Sequence, residues 1–130
     1  MARDYRHLVV WQLADELQTT TLKLLETPAW ARDRRLHDET TKTLSQIKRN
    51  IPEGFRKTSH IEFARFLEYS HSSLGELRSL FSDAQKHRYV TAAEVRGPLH
   101  LCYRLERALL SFMCYLRNNP PPPWWNFRQR

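Results

Sequence analysis

Cysteine, glycine and long apolar runs are all scarce in this chain, and each scarcity removes a class of protein. No run of about 18 or more apolar residues occurs, so no membrane span is expected. The opening Met1-Ala2-Arg3-Asp4-Tyr5-Arg6 leads to no small-residue cleavage site, so no secretory leader is expected either. Only two cysteines are present, Cys102 and Cys114. On one helix they would lie about 18 Å apart along the axis, too far for a disulfide. Two buried, reduced thiols in a cytoplasmic protein are the expectation. Neither has the histidine partner pattern of a nucleophile. The histidines (His7, His37, His60, His71, His87, His100) never pair four apart on one helix, so neither a metal nor a cofactor is expected.

What is present is one domain's worth of chain. With 130 residues, 41% hydrophobic and 27% charged, the composition suits a folded protein and is too apolar for a disordered one. The net charge of +7 would draw phosphate polymers by counterion release, or would simply keep the surface solvated.

The apolar pattern predicts an all-α fold of four helices, an antiparallel up-and-down bundle over 1–118 followed by a tail over 119–130. The first helix spans about 8–26, with Val10, Leu13, Ala14, Leu17, Thr21, Leu24 and Leu25 on one stripe and Trp11 beside it. Pro28 then breaks the chain. The second spans about 35–52 on a thin, Thr-rich stripe of Leu36, Thr40, Ile47 and Ile51. The third, about 60–87, keeps a three-four rhythm from Phe63 to Ala84, with Ser70, Ser72, Ser73 and Gly75 allowing close approach at its middle. The fourth, about 92–118, opens on the capping box Thr91/Glu94 and is apolar over much of its circumference. That surplus implies a second buried face, hence self-association.

The corner between the second and third helices concentrates signals. Pro52 and Gly54 should end one helix, and Ser59 with Glu62 should cap the next as a capping box. Lys48, Arg49, Arg56 and Lys57 surround it with positive charge. Together with Arg32, Arg34 and Arg35 these are the candidate phosphate contacts. Asn50, Glu53 and Arg56 could form a ligand site, but a corner that fixes the helix angle explains them more simply. In the tail, four prolines from Pro120 to Pro123 form a stiff spacer before Trp124, Trp125, Phe127, Arg128 and Arg130. The aromatics could stack on bases; because exposed adjacent tryptophans are costly, docking on protein is favoured.

Several strings together resemble one family. Trp11-Gln12, Asn50-Ile51 with Glu53-Gly54-Phe55, Ser59, Glu62-Phe63, Arg65-Phe66-Leu67 and Ser73-Leu74 with Glu76-Leu77 are similar to the 23S rRNA-intervening-sequence proteins, a group related to the accessory variability proteins of diversity-generating retroelements. The resemblance covers about 5–116 and implies an antiparallel four-helix bundle assembled as a homopentameric ring with a central channel. It also implies a bacterial, non-enzymatic protein whose basic surfaces bind RNA, DNA or a reverse transcriptase. The chain departs from the family pattern at Pro52, at Thr41-Lys42, at Ser70-His71-Ser72-Ser73 and at Arg78, which moves the basic surface rather than removing it. The Pro-Trp tail is no part of the pattern.

Two alternatives stand beside a nucleic-acid-binding scaffold. One is a purely protein-binding ring with some other protein client. The other is a ribonuclease: Arg65 and His71 resemble the Arg-His signature of the HEPN nucleases. However, a six-residue offset turns the two side chains about 120° apart on a helix, and Phe66 stands where a polar residue is expected.

Overall fold

The computed structural model describes residues 4–123 and 125. A 3-10 turn, Tyr5–His7, precedes five α-helices: α1 (Val9–Leu25), α2 (Pro28–Arg32), α3 (Arg34–Phe55), α4 (His60–Lys86) and α5 (Ala92–Asn118). Among the described residues there is no strand, and no helix is long and apolar enough to cross a membrane.

The four long helices close a ring in chain order. α3 packs most extensively on α4, α4 on α5, and α1 seals the bundle against both α5 and α3. Arg117 near the end of α5 pairs with Glu68 near the start of α4, while Arg78 farther along α4 meets Glu106 and the Cys102 carbonyl. Those two helices therefore run antiparallel. The core shared by the four long helices includes Leu17, Ile51, Phe63, Leu67, Leu74, Leu77, Phe81 and Leu105, each at most 1% exposed. At the α3–α4 seam, the buried Ser70 Oγ donates to the Ile47 carbonyl at 2.8 Å, a direct strap where the small residues let the helices approach.

The predicted break after α1 contains a short helix instead. Pro28 occupies its first turn, where a missing N–H costs nothing, and this buries Trp30 completely with its ring edge-on to Phe81 at 6.4 Å. Asp33 then caps α3 by accepting from the Leu36 N–H.

A second difference lies at the corner. α3 does not stop at Pro52; it runs one turn farther to Phe55, with Pro52 inside it. Proline removes one N–H and crowds the preceding turn, but the continuation buries Gly54 and Phe55. The Arg56 and Lys57 N–H groups then close on the Pro52 and Gly54 carbonyls at 3.2 and 3.0 Å.

α4 ends in a Schellman motif. The Tyr89 N–H donates to the Ala84 carbonyl and the Arg88 N–H to the Gln85 carbonyl, each at 2.9 Å. Arg88 takes the left-handed position at φ 60° that glycine normally fills. The Tyr89 hydroxyl donates to Asp33 Oδ2 at 2.8 Å, tying the α4–α5 turn to the start of α3. Thr91 and Glu94 form the two-way capping box at α5, whereas at Ser59 the hydroxyl accepts from the Glu62 N–H.

Candidate nucleic-acid interface

The corner is shaped by contact, not by backbone freedom. Gly54 is helical, and a β-carbon there would fall 2.7 Å from Phe63 Cδ1 and 2.8 Å from Phe66 Cβ. Gly54 is therefore the point where α3 touches α4, rather than the helix stop its sequence position implies. The Asn50 amide donates back to the Gln46 carbonyl at 2.7 Å. Glu53 and Arg56 form an exposed pair at 3.6 Å one turn farther on. Asn50 and Glu53 thus belong to separate arrangements and make no common ligand site.

The tail returns to this corner. Trp125 is 5% exposed and donates from Nε1 to the Lys57 carbonyl at 2.9 Å. Its ring lies edge-on to Phe55 (5.5 Å) and His60 (4.9 Å) and stacks on Phe63 at 5.7 Å. His60 Nδ1 lies 2.8 Å from the Asn119 carbonyl, fixing the start of the same segment. Docking on protein is the outcome for Trp125. Trp124, Phe127, Arg128 and Arg130 lie outside the described residues.

The predicted cations differ sharply in what they face. Lys48 bridges to Asp15 of α1 at 2.7 Å, donates to Gln18 Oε1 at 3.0 Å and sits over the Trp11 ring at 5.2 Å. It is a clamp between α1 and α3, with Trp11 held edge-on to Tyr5. Lys57 sits over the Phe66 ring at 5.0 Å. Arg34 and Arg35 each face an acid one turn along, Asp38 and Glu39. Arg34 and Arg35 open α3, and Lys48 and Arg49 follow 13 to 15 residues later, about 20 Å along the axis, with Arg56 and Lys57 beyond its end. The seven cations therefore form two groups at opposite ends of α3. Arg49 is exposed and, among the described residues, has no acid partner.

Arg49 also occupies a ridge between two grooves. On the α1 side, Tyr5, Trp11, Gln18, Lys48 and Pro52 line about 310 Å³. On the α4 side, Gln46, Asn50, Tyr69, Ser72 and Ser73 line about 390 Å³. Tyr69 had no sequence signal beyond being an aromatic off the apolar stripe, and charge-based reasoning passed over it.

Arg78 does not enlarge the basic surface. Its guanidinium forks onto Glu106 at 3.1 and 3.2 Å, and His71 Nε2 approaches the same carboxylate at 3.2 Å. The Arg78 bonds hold the Glu106 carboxyl below the usual range, with His71 adding to the effect. His71 is thus tied to α5 while Arg65 faces solvent. Cys102 is buried beside this cluster, and burial pushes its thiol up to about 12. Cys114, by contrast, is exposed, so the expectation of two buried thiols holds for Cys102 alone. The core stripe of α5 leaves Cys114 on the outer side with Tyr103 and Leu110.

Comparison with protein families finds that the family described as 23S rRNA-intervening sequence protein matches residues 6–111. The match takes in the 3-10 turn's last residues, α1 to α4 and most of α5, and ends before the tail. No curated protein matches the chain.

Proposed function

The chain belongs to the 23S rRNA-intervening sequence protein family, and from that premise we propose that it acts as a non-enzymatic, self-assembling scaffold that binds RNA or DNA along α3. The observation that carries this is Arg49: an exposed guanidinium without an acid partner among the described residues, flanked by grooves that hold Trp11 and Tyr69. Cations beside aromatic faces serve both halves of a nucleotide, its phosphate and its base. The net charge of +7 adds long-range attraction for any phosphate polymer.

Self-assembly rests on α5. Tyr103, Leu110 and Tyr115 are each about half exposed, and Leu8, Val9, Phe112 and Tyr115 line a groove of about 370 Å³ between α1 and α5. Apolar surface of this kind is stabilised by contact with further copies. A homopentameric ring is the assembly we propose. Light scattering on the intact chain tests it: a mass near five times 15.6 kDa supports the ring, and a monomer contradicts it.

One observation favours a second reading. Lys48, Arg34, Arg35 and Arg56 already face acids of the same chain, which lowers their value to phosphates. A ring that binds only a protein client, such as a reverse transcriptase, needs no free cations. Retention of the client after exhaustive nuclease treatment, together with no RNA or DNA binding by the isolated chain, selects that reading.

A further inference from the structure

The groove between α3 and α4 carries a more specific inference, which rests on the nucleic-acid reading above. Its lining is chemically mixed in a way that a solvated seam between helices does not require. Arg49 supplies a guanidinium, Tyr69 a phenol ring, Gln46 and Asn50 amides, and Ser72 and Ser73 hydroxyls, around about 390 Å³. Tyr69 is 47% exposed, yet it is not loose: Phe66 stands edge-on to it at 5.5 Å and 72°. Phe66 is in turn covered by the Lys57 ammonium. The Asn50 amide nitrogen is committed to the Gln46 carbonyl, which turns its oxygen into the acceptor available to a ligand. The Ser70–Ile47 strap crosses the same α3–α4 seam.

We propose that this groove holds one unpaired nucleotide of a single-stranded nucleic acid, with Tyr69 under the base, Arg49 on the phosphate, and Asn50 and Ser72 on polar edges. The chemistry demands an unstacked base. A duplex offers phosphates to Arg49 but no free base face to Tyr69, so the groove separates single strands from duplexes. RNA and DNA share the recognised groups.

Fluorescence anisotropy with labelled single-stranded RNA, single-stranded DNA and blunt duplex RNA of equal length tests this on the full chain at fixed low salt. Tyr69→Ala should weaken single-strand binding about 10-fold, while Tyr69→Phe keeps it and duplex binding is unchanged in both. Arg49→Gln should weaken single strand and duplex alike and reduce the salt slope by about 1. If the native chain binds single strands but Tyr69→Ala binds them equally well, the groove assignment is wrong and the general nucleic-acid reading survives. Equal losses on single strand and duplex with Tyr69→Ala also overturn the groove. If the native chain binds none of the three probes, both fall. Discrimination between the RNA and DNA strands identifies which polymer the groove takes.

Discussion

Single residues here act through what they touch, and Gly54 shows this most clearly. Alanine is better than glycine in a helix by about 1 kcal/mol. Its β-carbon at this position would sit 2.7 and 2.8 Å from Phe63 and Phe66, and Phe66 Cβ cannot swing aside without moving α4. Overpacking of that kind costs about 1–3 kcal/mol, so steric cost prevails over propensity. Gly54→Ala should therefore lower stability by about 1–2 kcal/mol in urea unfolding; an unchanged or raised midpoint would show that the seam can open freely. Glu106 gives a second residue-scale test. Its folded carboxyl is held below the ordinary 4.5 by Arg78, so the unfolded chain takes up a proton first as pH falls. The stabilisation is complete above about 4.5 and fades as pH drops through the lower folded value. Asp33, lowered by the Leu36 N–H and the Tyr89 hydroxyl, loses its contribution in the same direction. Thermal melts in that acid range should show Glu106→Gln with a shallower pH dependence than the native chain. Identical slopes would remove Glu106 from the account.

At the scale of elements, the four long helices were legible, and of their ends only the C-terminal end of α3 lay more than a residue from its expected place. The apolar stripes place α1, α3, α4 and α5 because periodicity depends only on each helix's own buried face. The extension of α3 through Pro52 was not visible, because burial of Gly54 and Phe55 against α4 outweighs a local helix breaker. The one-turn helix of Trp30 was hidden for the same reason: Pro28 reads as a break, and only the packing on Phe81 explains a helix there. The tail is the element with the clearest consequence. Trp125 covers Phe55, His60 and Phe63, so the segment after α5 completes the bundle end instead of hanging free. Trp125→Ala should lower stability by about 2 kcal/mol, less than a central core tryptophan, because the tail can undock without unfolding the bundle. Urea unfolding that matches the native midpoint would mean the docked tail adds nothing to the fold.

For the whole molecule, counting charges and locating them led to different pictures. Seven cations were candidates by sequence, but Lys48 meets an aspartate 33 residues away on α1, a pairing that no local pattern announces. Arg78 is likewise drawn into α5 by Glu106. Of the seven, Arg49 on its ridge and Arg32 before α3 are the exposed ones with no acid partner among the described residues. An assembly of several copies would repeat that modest surface and multiply its effective strength. The most direct measurement is a salt titration of labelled single-stranded RNA binding to the intact, nucleic-acid-free chain. The account predicts saturable binding at about 50 mM salt that weakens linearly on a log-log plot as salt rises. Absence of binding at about 50 mM salt, or binding indifferent to salt, would contradict it.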